Sequence, residues 1–308
     1  MNTGRGIVFI VAALWAALSP FVMSPEACAD DSLSQLRSEV RAPDSPDEPE
    51  SDHHDAEDCR PKSYSDDDPC DGIDDEEDSF WEHLFAPLAI GAGVVASSPF
   101  WGPPILIGDG YEHAGYFPEH PYQYERGYMM VDATDLYQGS EERLGYKWAW
   151  RARNDYGTSF SGLEWIGGNV LLETTPRLGA ETDFRFLQEE LPAGGHDSLW
   201  LGDANLFWRF AQSDQTQMRA GVGFNWLSDR EHSDFGFNFT YAIDWYPVQP
   251  LVISAEMDLG NLSESWLFHI RTTAGLTWRG AESFVGYDLY DIDHFQSPGM
   301  VAGVRLWF

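Results

Sequence analysis

Met218-Arg219-Ala220-Gly221-Val222-Gly223-Phe224-Asn225-Trp226 alternates strictly. Met218, Ala220, Val222, Phe224 and Trp226 fall on one side of an extended chain, and Arg219, Gly221, Gly223 and Asn225 on the other. A period of two is the mark of a strand with one apolar face. The same pattern extends in both directions. Upstream it runs through Leu144–Trp150, Val170–Thr174, Leu178–Phe186 and Trp200–Phe210. Downstream it runs through Phe235–Trp245, Leu251–Leu259, Trp266–Trp278, Val285–Leu289 and Met300–Phe308. Ten such runs in one stretch predict an antiparallel all-β domain over residues 143–308.

Alternation alone suits a soluble sandwich as well as a membrane barrel. The charges decide: Asp203, Arg219, Asp244, Arg271 and Arg305 stand in mid-strand, while Trp and Phe crowd the strand ends of the apolar face. That distribution fits an apolar exterior with aromatic girdles and a polar interior. The links also alternate. Tight ones are expected at 175–176, 211–214, 247–250 and 279–281, and longer polar ones at 154–162, 189–198, 228–234, 260–264 and 291–298. With ten strands, both ends of the domain fall on the tight-turn side.

The chain stops at Gly303-Val304-Arg305-Leu306-Trp307-Phe308. In this respect it resembles bacterial outer-membrane β-barrel proteins, whose last strand carries an assembly signal ending in Phe. Gly303, Leu306 and Phe308 match that signal, whereas Val301 stands where a polar residue is usual. The resemblance covers residues 143–308. It implies an antiparallel transmembrane β-barrel of about ten strands (eight to twelve), recognition by the barrel-assembly machinery, and an outer-membrane lipid environment.

Inside such a barrel the expected lumen charges are Arg151, Arg153, Asp183, Arg185, Asp203, Arg219, Asp244, Glu256, Asp258, Arg271 and Arg305. Both signs are present, and a barrel this small is filled by side chains. Ion pairing across a narrow, plugged lumen follows, because unpaired buried charge is costly. A structural, anchoring or adhesive barrel is therefore the leading expectation, with a narrow pore for ions or small solutes as the alternative. Ten-stranded omptin proteases supply a second alternative, a hydrolase with carboxylates and His at the rim. The residues to examine are His196, Asp229, His232, Asp293 and His294, since general-base chemistry needs an oriented His. Polar loops collect Asp and His without purpose, and no catalytic motif matches.

The remainder of the chain divides into three. Residues 1–29 read as a signal peptide: Arg5 precedes an apolar stretch from Gly6 to Leu18, and Ala27-Cys28-Ala29 supplies small residues for cleavage. A membrane anchor is the alternative for the same stretch. Residues 30–79 read as a disordered acidic arm in the periplasm. Between Asp44 and Asp78 stand 17 acidic residues against Arg60 and Lys62, in a chain of net charge −33. So polar a composition cannot offset the entropy of ordering. Asp67, Asp71 and Asp74 around Gly72 suggest calcium ligands, but Pro69 and Asp78 break the EF-hand spacing, leaving a charge run that attracts divalent cations weakly. Cys59 and Cys70 are a candidate disulfide pair. Residues 80–142 form a Pro-, Gly- and aromatic-rich segment that should dock on something apolar, either a barrel mouth or the periplasmic leaflet. A short helix is expected over 80–95, and Pro87, Pro99, Pro103 and Pro104 argue against a continuous spanning helix. The acidic balance excludes a nucleic-acid binder, and no cofactor motif is present.

Overall fold

A computed structural model describes residues 32–41, 97–109, 115–123, 127–129, 145–160, 162–191 and 194–308. Among them are ten strands: β1 (Trp148–Ser159), β2 (Glu164–Thr174), β3 (Leu178–Glu190), β4 (His196–Ser213), β5 (Thr216–Ser228), β6 (Ser233–Val248), β7 (Leu251–Leu262), β8 (Ser265–Trp278), β9 (Ala281–Ile292) and β10 (Phe295–Trp307). Each pairs antiparallel with its neighbours in sequence, and β1 closes on β10 in register from Arg151↔Trp307 to Ser159↔Gly299. The fold is a closed antiparallel barrel.

The alternation of the sequence becomes the two faces of this wall. Trp148, Trp150, Trp208, Trp278 and Phe308 lie exposed on the outside near the end that holds the chain terminus. Trp200, Phe235, Trp266 and Tyr156 do so towards the other end, with Val170, Leu206, Val222 and Val285 between the two groups. Two aromatic rings flanking an aliphatic belt are what a lipid-facing barrel wall requires. No helix among the described residues is long and apolar enough to cross a membrane, which bears on helices alone.

The links at the two ends differ less than their polarity suggests. The strands overrun the polar stretches, so the loop-end connections shrink to 160–163, 191–195, 229–232, 263–264 and 293–294. The last two are as tight as 214–215, 249–250 and 279–280 at the terminal end. Polar residues do not stop a strand whose backbone continues to pair. Ser263, Arg279 and Asp293 take φ of 56°, 56° and 48°, the left-handed conformation that lets a short link follow the strand twist.

Trp165 locks the closure seam. Its indole lies inside the barrel, across Gly157 of β1 and Gly299 of β10. A Cβ at Gly157 would fall 2.1 Å from the indole and one at Gly299 would fall 2.5 Å from it. Both positions must therefore lack a side chain. Gly157→Ala is expected to displace Trp165 and cost about 1–3 kcal/mol, read as a lower urea midpoint with an unchanged slope.

Candidate functional site

The interior is stratified. A helix, α1 (Ser32–Arg41), lies across the loop-end mouth. Beneath it is an apolar layer that includes Leu163, Trp165, Leu187, Leu199, Leu227, Leu267 and Phe295. An ionic layer follows, and Phe117, Tyr122, Tyr128, Tyr246 and Trp307 floor the terminal end.

Ten of the eleven lumen charges named above are at 7% exposure or less and Glu256 is half-buried, whereas Lys147, which the same alternation points inward, is exposed. Towards the terminal end, Arg219 reaches Glu181 at 3.2 Å, Asp244 at 2.9 Å and Glu256 at 3.0 Å. Arg151 shares Asp244 at 2.8 Å and stacks 5.2 Å from the Trp307 ring. Arg305 takes Glu282 at 2.9 Å. Nearer the loop end, Arg153 bridges Asp155 and Asp183, and Arg271 joins Asp183 at 3.4 Å to Asp288 at 2.6 Å. Arg185 donates to Asp288 from both terminal nitrogens, and its guanidinium lies 4.2 Å from the Tyr290 ring.

Carboxylates outnumber guanidiniums, and amide and imidazole groups serve the excess. Asp203 accepts from Asn205 at 2.8 Å. Asp258 accepts from Asn238 at 3.2 Å and faces His269 Nδ1 at 2.8 Å. His269 also reaches Asp288, at 3.3 Å, and stacks on Tyr290 with ring centres 4.0 Å apart. Glu173, Glu282 and Asp288, which the alternation also points inward, join these networks together with Asp155 and His269; Glu282 faces Arg305, Asp288 faces Arg271 and Asp258 faces His269 on adjacent strands. The cavity among Arg151, Arg219, Asp244, Glu256 and Arg271 measures ≈ 10 Å³. That is room for about one water.

Residues 32–41 belong to the arm expected to be disordered and to lie on the terminal side. Instead they form α1, at the opposite end. Leu33, Leu36 and Val40 recur at helical spacing and are fully buried in the mouth, which supplies the apolar partner that an isolated acidic arm lacks. The barrel also satisfies the helix ends. The backbone N–H groups of Ser32 and Leu33 donate to the Glu189 carboxylate at 3.0 and 2.9 Å, and the Ser265 hydroxyl donates to the Glu39 carbonyl at 2.8 Å. Arg37 pairs with Asp197 and Asp229, and Arg41 with Asp229 and Asp234.

This latch accounts for the rim candidates. Asp229 holds two guanidiniums and accepts the N–H groups of Glu231 and His232, both at 2.9 Å, so it is committed to structure. His196 and His232 are exposed, and neither side chain hydrogen-bonds a described residue. His294 faces Glu39 at 3.3 Å, and Asp293 accepts the Trp266 N–H at 3.1 Å. A cleft of ≈ 310 Å³ opens between α1 and the loops, lined by Arg37, Arg41, His196, Asp197, Asp229 and Glu231. It brings no His and carboxylate into a catalytic pair. Among the described residues no cluster fits a metal ion.

Of the assembly-signal residues, Gly303 lies in β10 opposite Asp155 and Phe284, while Leu306 and Phe308 project outward. Phe308 exchanges backbone hydrogen bonds with Trp150 at 2.9 and 3.0 Å. Asp67, Asp71, Asp74, Cys59, Cys70, the signal segment 1–29 and the helix expected over 80–95 lie outside the described residues. A helix not anticipated, α2, occupies 97–107.

No protein-family model matches the chain, and no curated protein matches it in sequence. Similar solved structures include the beta domain of the Bordetella autotransporter BrkA, at 11% identity and TM-score 0.29 over 52% of this chain and 97% of that one. The KdgM porin matches at 10% and 0.27 over 52% and 99%. Ail, the attachment invasion locus protein of Yersinia pestis, matches at 8% and 0.24 over 52% and 96%.

The latch has a defined response to acid. Burial alone would raise the Asp229 carboxyl. The Glu231 and His232 N–H groups and the Arg41 guanidinium outweigh it and hold the carboxyl well below the usual carboxylate range. The hydrogen bond from Arg37 lowers Asp197 likewise. A folded-state pKa below the unfolded one, about 3.9 for Asp, stabilises fully above that value and is lost as pH falls through the folded one. A fluorophore at Ser34→Cys, with Cys28, Cys59 and Cys70 replaced by Ser, should report a seated helix from pH 8 to about pH 4. Release should begin only below that; release near pH 6 would contradict the latch. Asp229→Asn should shift release upward.

Proposed function

We propose that this chain is a small outer-membrane β-barrel of structural, anchoring or adhesive role, with a lumen that is closed to solutes. The observation that carries this reading is the filled interior. Ion pairs span the lumen, the cavity among Arg151, Arg219, Asp244, Glu256 and Arg271 is ≈ 10 Å³, and side chains of the chain's own N-terminal part cover both ends. A hydrated ion would have to break several buried guanidinium–carboxylate pairs to pass, and losing one partner of such a pair costs about 3–5 kcal/mol. The outward aromatic rings and aliphatic belt support lipid as the surrounding medium, and Gly303, Leu306 and Phe308 support the barrel-assembly machinery as the folding partner. A hydrolase reading draws little from the rim, where Asp229 is consumed by Arg37 and Arg41 and the exposed His294 meets only Glu39 of α1.

The full chain refolded into detergent should migrate faster unheated than boiled on a gel, and should give no reproducible open-channel steps in a planar bilayer. Deleting residues 32–41 should leave the bilayer silent, because the ionic layer remains. Discrete conductance steps from the intact chain would replace this reading with a narrow pore. A chain that stays soluble without detergent and shows no heat-dependent shift would end the membrane assignment.

A further inference from the structure

The outer wall of the barrel is covered at one place by the chain itself. Met218, Ala220 and Ile243 point outward from β5 and β6, yet they are as buried as core residues, at 1%, 9% and 5% exposure. They are covered by the part of α2 from Phe100 onward. Phe100 packs edge-on against Phe210, Phe239 and Tyr241, with ring centres 5.7, 6.3 and 6.3 Å apart. Phe239 is paired with Val222 and Leu259 in mid-strand, so Phe100 sits at the level of the aliphatic belt. Pro103, Pro104 and Ile107 complete a buried stripe at helical spacing, and the helix descends towards the terminal end.

The opposite face of the helix is also apolar. Ile105 and Leu106 are 70% and 59% exposed, and Trp101 is 46% exposed beside them. Between Phe100 and Gly108 there is no polar side chain at all. The first charge, Asp109, is taken up at once by Arg177 at 2.7 and 2.8 Å and by the Gln212 N–H at 2.9 Å, at the terminal rim. A helix facing water on one side would carry polar residues there; this one is apolar on both.

We propose that residues 100–107 form a lipid-embedded helix on the outside of the barrel, with lipid acyl chains against Trp101, Ile105 and Leu106. The exposed face is continuous with the outward belt of the neighbouring strands, where Leu206, Trp208, Val222 and Phe224 are exposed beside the covered patch. The helix thereby replaces lipid over β4–β6 and extends the hydrocarbon-facing surface outward by one helix diameter, about 10 Å. This inference rests on the membrane reading of the barrel.

The test uses the full chain in proteoliposomes, with Cys28, Cys59 and Cys70 replaced by Ser and a bimane fluorophore at one introduced Cys. Ile105→Cys reports on α2, Leu206→Cys on the bare wall and Glu264→Cys on the rim. All three positions are exposed, and retention of fold is checked by the heat-dependent gel shift. Phosphatidylcholine brominated in mid-chain should quench the 105 probe to within about twofold of the 206 probe and leave the 264 probe bright, with iodide acting in the reverse order. If 206 is quenched by bromolipid while 105 is quenched only by iodide, α2 lies in water and the proposal is overturned with the membrane reading intact. If 206 also escapes bromolipid, the membrane reading itself falls and the proposal falls with it.

Discussion

The constraint on which the structure depends is electrostatic. A closed ten-stranded wall leaves an interior about as wide as two facing side chains, and this sequence points Arg, Asp and Glu into it. Such an interior cannot keep a hydration shell around each charge. The charges must neutralise one another in place, or the barrel would bury them at a cost of several kcal/mol per ion. The register sets the difficulty: Arg153 lies directly opposite Arg305 at the closure seam, and Asp183 opposite Asp203. Neither like-charged pair can be satisfied within itself. Relief comes from other neighbours, as Arg153 turns to Asp155 on its own strand and to Asp183, Arg305 to Glu282 opposite it on β9, and Asp203 to Asn205 on its own strand. Long arginine side chains make this possible, since a guanidinium offers several donors in a plane and can serve two or three carboxylates at once.

Sealing at both ends follows from the same requirement. Ion pairs are worth most where water is excluded. The apolar layer beneath α1 and the aromatic floor around Tyr128 and Trp307 hold water away from the ionic layer. They are lids on an electrostatic core as well as hydrophobic cores in their own right. Over the wall as a whole, apolar residues predominate outward, charge gathers inward at mid-depth, and apolar clusters recur inward near each mouth.

The wall and the identity of the inward charges were legible in the sequence because a strand's period of two depends only on neighbours. Partner choice was not. Arg185 and Asp288 stand 103 residues apart and Arg151 and Asp244 stand 93 apart, so their meeting depends on barrel closure. The lengths of the loops were overestimated because polar composition reports solvent exposure rather than the end of backbone pairing. Helix α1 left a faint trace: Leu33, Leu36 and Val40 repeat at helical spacing, with Arg37 and Arg41 one turn apart on another face. Three apolar residues beside a long acidic run are too few to signal a helix until the mouth that receives them is known. Helix α2 was hidden by its prolines, which read as helix breakers yet occupy positions 103 and 104 of the stripe that packs on the wall.

The way α1 is capped bears on the order in which the molecule is made. Ten residues are too few for a stable helix alone in water, and α1 borrows its N-terminal carboxylate from Glu189 on β3 and its C-terminal hydroxyl from Ser265 on β8. Its basic side chains find partners on β4, the β5–β6 loop and β6. None of these groups stands together until the strands that carry them have paired and the wall has closed. Helix α1 precedes every strand in the sequence, yet it can seat only after the strands that hold it have paired.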